Sequence, residues 1–181
     1  MKLFCIIIII LLIVCFILSL LAIIYNKFQE LSIKTNEVEA NIDATLRKRF
    51  DLLNKSINII KANTPVEDDV LELIVKLRSR KLSNFDLDRQ LYDAINEFNA
   101  YKEAYPELME SDSFKKINNS LNESENEITA LRKYYNDTIT EYNKLVKKFP
   151  SNIVAIIYKH KVKAYYDGKN MQDDVINDFK L

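Results

Sequence analysis

Residues 3 to 24 form one uninterrupted apolar run, which limits what the chain can fold into more than any other feature. The run contains 22 residues without a charge, and Ser19 is its one hydroxyl. As a helix at about 1.5 Å per residue it would measure roughly 33 Å, close to the thickness of about 30 Å of a bilayer hydrocarbon core. We therefore predict that residues 1–24 are a single-pass anchor in the cell membrane, spanning it from Leu3 to Ile24.

Two other interpretations of the run fit it less well. A cleaved secretory signal has an apolar region of about 7 to 15 residues followed by a small-x-small cleavage site. This run is longer, and Ala22 is the only small residue in its last five positions. A lipidated Cys15 would need small residues before it, but Ile13 and Val14 are bulky. We expect an uncleaved anchor.

Positive charges near the two ends of the run predict its orientation. Lys2 precedes the run, whereas Lys27 and Lys34 follow it. Because Lys and Arg close to a membrane helix favour the cytoplasmic side, this small excess favours a cytoplasmic soluble domain.

The composition outside the run predicts a helical domain and argues against nucleic acid as a partner. The 26 basic and 26 acidic residues cancel, so the chain lacks the positive field by which nucleic-acid binders gather phosphates. Gly168 is the single glycine and there are only three prolines, too few for a domain with many glycine-dependent turns. We predict a helical bundle domain over residues 25–167 and a C-terminal tail over residues 168–181.

Apolar residues after the run recur every three or four positions, as one face of a helix requires. Because neither Pro nor Gly occurs before Pro65, the first helix should continue from the membrane segment into the domain. Residues 64–67 carry a helix-start signal for a short second helix, and residues 83–86 carry one for a third. Pro106 should end the third helix, since it disfavours helical geometry at the preceding residue.

A fourth helix is predicted by a stripe that alternates steps of three and four from Phe114 to Phe149, over 36 residues. A period of 3.5 indicates coiled-coil-like packing, for which the first helix is the expected partner. The predicted fold class is all-α, with an N-terminal transmembrane helix followed by an elongated antiparallel bundle of three to four long helices.

Polar residues among the core positions of this fourth helix are candidates for a hydrogen-bond network between helices. Such a network would set the register of the helices rather than bind a ligand. Its predicted members are Glu125, Asn126, Arg132, Tyr135, Asn136 and Asp137.

The segment from residue 144 to residue 166 is both basic and aromatic. It contains six lysines, among them Lys161 and Lys163, together with His160, and it has no acidic residue. One interpretation is contact with an anionic lipid surface or an acidic partner, since each lysine near such a surface contributes about 1 kcal/mol. The other is that its apolar residues cap the bundle while the lysines stay in water.

Several short motifs are spread over almost the whole chain. They are Tyr25-Asn26, Leu46-Arg47-Lys48-Arg49-Phe50-Asp51-Leu52, Tyr105-Pro106-Glu107-Leu108 with Phe114, Glu125-Asn126-Glu127-Ile128 with Arg132, Tyr135-Asn136-Asp137, Tyr142-Asn143, and Phe149-Pro150-Ser151-Asn152 with Ala155. Together these motifs resemble the LemA family of bacterial membrane-anchored proteins. The sequence departs from the family at Asn54, where proline is usual, and at Lys159-His160, where glycine and an aromatic residue are usual. The resemblance implies a membrane-anchored helical bundle with no established biochemical activity.

The resemblance also draws attention to a polar cluster on the first helix, formed by Arg47, Lys48, Arg49 and Asp51. We hypothesise that this cluster pairs with acidic residues of the fourth helix and thereby aligns the two long helices.

The usual residue sets for chemistry do not occur in the sequence. There is no Gly-rich phosphate loop, no pair of histidines for a metal and no cysteine outside the apolar run. We therefore predict no catalytic, cofactor-binding or metal-binding residue, no cofactor and no small-molecule substrate. His160 is expected to be a surface or interface residue.

The predicted function is a non-enzymatic interaction or scaffolding protein that presents helical faces to a protein partner or to a second copy of itself. The first alternative is a peripheral protein that binds or senses a lipid surface through residues 144–166. An enzyme of unknown type is the second alternative.

Overall fold

The computed structural model describes residues 1–63 and 83–166. The predicted second helix and the predicted C-terminal tail lie outside these residues. The described residues form four α-helices and one short 3-10 helix, with no strand among them. The all-α fold class is confirmed.

Helix α1 runs without interruption over Lys2–Asn63 and includes Asn54. The prediction that the first helix continues from the apolar run into the domain is confirmed. All side chains up to Leu20 are exposed, and the most apolar stretch of the helix has a mean hydropathy of 3.6. By length and composition, α1 can cross a membrane.

The next two long helices begin close to where the sequence predicts, and the first of them also ends there. Helix α2 (Asn84–Ala104) is the third predicted helix, and it starts after Ser83, whose Oγ accepts a hydrogen bond from the backbone N–H of Asp86. It ends before Pro106, which begins the 3-10 helix Pro106–Glu110. Helix α3 (Asp112–Lys147) is the fourth predicted helix.

The C-terminal end of α3 corrects one prediction. The helix ends at Lys147, so Phe149 does not belong to its buried stripe and is 80% exposed. The physical reason is Pro150, which disfavours helical geometry at the residue before it. A short helix α4 (Ser151–Ile157) follows.

The chain divides into two compact units, and α1 and α3 contribute to both. The first unit comprises Met1–Glu37 and Tyr135–Tyr165. Its core joins α1, α3 and α4. The buried members of this core are Phe28, Leu31, Tyr142, Val154 and Ala155, and the partly buried side chains packed on them are Leu21, Ile24, Tyr25, Leu145 and Val146.

The second unit holds the described residues of 38–134 together with Tyr166. Thr45 and Arg49 of α1 are bonded to Glu127 and Glu125 of α3, respectively. Because positions ascend along α1 as they descend along α3, these helices are antiparallel. Helix α2 is likewise antiparallel to α3, with Asp88 bonded to Arg132 and Lys102 to Asn118. The antiparallel bundle is therefore present in this unit. Its apolar core contains Val38, Ile42, Leu46, Leu53, Ile57, Ile60, Leu91, Ala94, Phe98, Leu108, Phe114, Leu121 and Ile128.

Candidate functional site

A buried network of charged side chains connects α1, α2 and α3 in the second unit. Its centre is Asp88, which is 5% exposed. Arg132 donates to this carboxylate through Nε at 2.8 Å and through Nη2 at 2.5 Å. The Nη1 of Arg49 lies 4.0 Å from Asp88 Oδ1. One carboxylate of α2 therefore lies between guanidinium groups from the two long helices.

Arg49 extends the network to a second carboxylate. Its Nη2 donates to Glu125 Oε2 at 2.5 Å, and the arginine is only 1% exposed. Next to this pair, Glu127 accepts a hydrogen bond from Thr45 at 3.1 Å and another from Lys48 at 3.2 Å. These contacts cross from α1 to α3 at adjacent turns.

Tyr166, which follows α4 in the sequence, adds a tyrosine hydroxyl to the network. Its hydroxyl donates to Asp88 Oδ2 at 3.1 Å and lies 3.2 Å from the backbone carbonyl of Asn84. Its ring stacks on Phe85 with centroids 4.4 Å apart. Burial, together with the nearby Asp88 carboxylate, raises the pKa of Tyr166 well above its ordinary value. The hydroxyl therefore stays protonated and acts as a donor.

The network balances two guanidinium groups against two carboxylates. A charge taken out of water is tolerated only when it is paired, and removal of one partner of a buried pair costs about 3–5 kcal/mol. Since these side chains come from α1, α2 and α3, their pairing requires a single register of the three helices. The Nε of Arg49 and the Oε1 of Glu125 are buried with no hydrogen-bond partner among the described residues.

The other predicted site residues on α1 and α3 differ in their exposure. Arg47 is exposed and pairs within α1 with Asp43 at 2.8 Å. Asp51 is exposed on the same helix. On α3, Asn126 and Asp137 are exposed, Asn136 is half-buried and Tyr135 is buried.

Two members of the network were not among the predicted site residues. Asp88 lies three residues before Leu91, on the apolar face of α2. A carboxylate at such a core position could have indicated a buried charged pair. Tyr166 carries no comparable signal. Its partners Asn84 and Asp88 are 82 and 78 residues away, and local spacing says nothing about contacts at that separation.

A small cavity of about 110 Å³ borders the Arg49–Glu125 pair. Four asparagines contribute to its lining: Asn96, Asn99, Asn118 and Asn122. The volume suits on the order of three or four water molecules. Glu125 is the only carboxylate in the lining, and it is bonded to Arg49. Within residues 1–63 and 83–166, no group of three or more His, Cys, Asp or Glu side chains could hold a metal ion.

Residues 144–165 of the basic and aromatic segment belong to the first unit, and Tyr166 belongs to the second. Helix α4 buries Val154 and Ala155 in the core and is followed by a tight reversal at Lys159, whose φ is 58°. The backbone N–H of His160 donates to the carbonyl of Ala155 at 2.8 Å, which closes the turn. A glycine would adopt this left-handed conformation more easily than lysine. The turn nevertheless forms.

His160 packs against two residues of the core of this unit, Phe28 and Tyr142. Its ring stacks on Phe28 with centroids 4.3 Å apart and planes 6° from parallel. Its Nδ1 lies 3.0 Å from the hydroxyl of Tyr142, while Nε2 is buried with no hydrogen-bond partner among the described residues. Burial lowers the pKa of His160. The predicted surface or interface residue is therefore half-buried within the first unit.

Asn143 holds the chain that follows this turn. Its side chain donates to the backbone carbonyl of Lys163 and accepts from the backbone N–H of the same residue, each at 2.9 Å. The Nζ of Lys163 lies 5.4 Å from the ring centroid of Tyr142. Lys161 is exposed. Of the two predicted lysines, Lys163 thus packs on the unit and Lys161 lies in solvent.

Comparison with known proteins gives one family and one curated relative for this chain. The model of the LemA family matches residues 38–179. The protein LemA of Metamycoplasma hominis is 28% identical over 141 residues, and the match covers 72% of this chain and 64% of that protein. The match thus spans less than two thirds of the length of that relative.

Proposed function

The chain belongs to the LemA family, and from this premise we propose that it is a membrane-anchored, non-catalytic interaction protein. In this proposal residues 3 to 24 stay in the membrane, the helical domain lies on the cytoplasmic side, and its exposed helix faces bind another protein or a second copy of the chain. Helix α1 contributes residues both to the anchor and to the bundle.

The observation that carries the proposal is the unbroken course of α1. No break in the helix separates the apolar run from the domain. The last residues of the run also belong to the folded unit, since Leu21 and Ile24 pack on the core formed by Phe28 and its neighbours. Cleavage within residues 20–24 would remove part of that packing. This arrangement favours an anchor over a removable signal.

The chemistry of the second unit supports a non-catalytic role. General acid or base catalysis needs a titratable group that can reach a substrate. The buried carboxylate Asp88 is instead bonded to Arg132 and Tyr166, and the Oε2 of Glu125 is bonded to Arg49. The neighbouring cavity has room for little more than solvent.

Photo-cross-linking in living cells tests the proposal with a matched set of alanines. A photoreactive amino acid replaces Ala40 on α1 or Ala130 on α3, both of which are exposed. The control replaces exposed Ala22 at the end of the apolar run. We expect the same protein, or a second copy of the chain, to be captured at Ala40 and at Ala130, whereas Ala22 captures lipid.

Adducts to lipid alone at all three positions would contradict the interaction role. If the position of Ala22 captures no lipid and the chain is recovered in the water-soluble fraction, the proposal of a membrane anchor is contradicted. The two parts of the proposal therefore fail separately.

A further inference from the structure

Helix α4 and its flanks expose an unusual amount of apolar surface for so short a segment. One face of α4 is buried through Val154 and Ala155. The other presents large side chains to the outside. These are Phe149 at 80% exposure, Ile153 at 45%, Ile156 at 76%, Ile157 at 60% and Tyr158 at 56%. Single exposed apolar residues are normal, but a contiguous group marks a contact surface. We call these five residues the apolar patch.

The apolar patch lies beside the place where α1 leaves the apolar run. Val154 and Ala155, on the opposite face of α4, share a core with Leu21, Ile24 and Tyr25. Within the patch, Tyr158 contacts α1 directly, with its ring centroid 4.7 Å from that of Tyr25. All of these residues belong to the first unit. Helix α4, which carries the patch, therefore packs beside α1 from the last turn of the run onward.

The charges around the patch match an anionic surface. Four lysines flank it and are exposed: Lys147, Lys148, Lys159 and Lys161. No acidic residue occurs between positions 144 and 166. Tyr25 and Tyr158 add paired aromatic rings, which are typical of the interface between hydrocarbon and water. An apolar face with lysines at its edge is the pattern of an element that lies in the headgroup region of a bilayer.

We propose that the apolar patch docks into the headgroup and acyl boundary of the membrane that α1 spans, with the flanking lysines on anionic phospholipid headgroups. This inference rests on the proposed anchor, because the anchor brings the patch to the bilayer surface. The chain then holds its membrane at two places, the spanning helix and the α4 surface. The second contact orients the first unit relative to the bilayer.

The absence of tryptophan from the sequence allows a direct test with the full chain. Single tryptophans are introduced by three substitutions: F16W in the apolar run, I156W in the patch, and I33W on α1. Ile33 is the matched control, since it is an isoleucine that is 66% exposed and lies about 14 Å beyond Ile24 along the helix. Each variant is reconstituted in vesicles of phosphatidylcholine and phosphatidylglycerol, with or without bromine on the acyl chains.

We expect brominated lipid to quench F16W and I156W but not I33W, and we expect blue-shifted emission from I156W. Quenching of I156W should weaken in vesicles without phosphatidylglycerol. Quenching of F16W without quenching of I156W would overturn the docking proposal and leave the anchor intact. A blue-shifted but unquenched I156W would also overturn it, since a protein would then cover the patch. If F16W is not quenched, the anchor itself is wrong.

Discussion

The buried Arg49 on α1 pairs with the half-buried Glu125 on α3, with 2.5 Å between the guanidinium Nη2 and the carboxylate Oε2. Two residues earlier on α1, Arg47 pairs with Asp43 at 2.8 Å, but its side chain is 74% exposed. The two arginines share a helix and a residue type and differ in burial. Comparing alanine variants of these two arginines therefore measures how much burial of an ion pair contributes to the free energy of unfolding.

The R49A variant should lose about 3–5 kcal/mol of unfolding free energy, because it leaves the buried Asp88 and the half-buried Glu125 with one cation fewer. The R47A variant should lose at most about 1 kcal/mol, because its pair is exposed and screened. Chemical unfolding in detergent, followed by circular dichroism, measures both. Equal stability of R49A and R47A would show that the network does not hold the three helices together.

Replacing Lys159 by glycine should stabilise the fold. Lysine at a φ of 58° occupies a conformation that costs a residue with a Cβ about 1–2 kcal/mol, and the added freedom of glycine in the unfolded chain offsets part of that gain. We expect K159G to gain about 0.5–1 kcal/mol. K161G is the control, since Lys161 has no positive φ, and it should gain nothing. A destabilised K159G would mean that the lysine side chain contributes more than its backbone strain costs.

His160 should make the fold weaker as the pH falls. Its pKa is lowered by burial, so the unfolded chain binds a proton more readily than the folded one. Stability is then complete above the unfolded pKa of about 6.5 and declines as the pH drops below it. It is the only histidine in the chain, so H160F, which keeps a ring to stack on Phe28, serves as the reference.

The measurement is the unfolding midpoint at about pH 7.5 and about pH 5.5, on either side of the unfolded histidine pKa. The parent chain should lose more stability between these two values than H160F loses. Identical losses would show that protonation of His160 is not coupled to folding.

Local spacing predicted the helices because burial repeats every three or four residues. It placed the start of α2 after Ser83 and the end of α2 before Pro106, since capping and proline act within a few residues. Spacing alone wrongly predicted that Phe149 belongs to the buried stripe of α3, because Pro150 disfavours helical geometry at the residue before it. Periodicity and helix-breaking signals therefore have to be read together.

The network was predicted only in part, because its contacts join distant parts of the chain. Glu125 and Arg132 were predicted as polar residues among core positions, whereas Arg49 was predicted through the resemblance to the LemA family. Asp88 occupies a similar core position on α2 but was not predicted, and the position of Tyr166 depends on the fold. The apolar patch also depends on the fold, since the sequence of 144–166 does not say which apolar side chains stay exposed.

We propose above that α1 is an uncleaved membrane anchor continuous with the folded domain. The intact mass of the full chain, expressed in a bacterium and recovered from its membranes after an alkaline wash, tests this proposal. We expect a chain that keeps residues 1–24 and stays with the washed membranes. A chain that begins within or after residues 20–24, or one released by the wash, would contradict it.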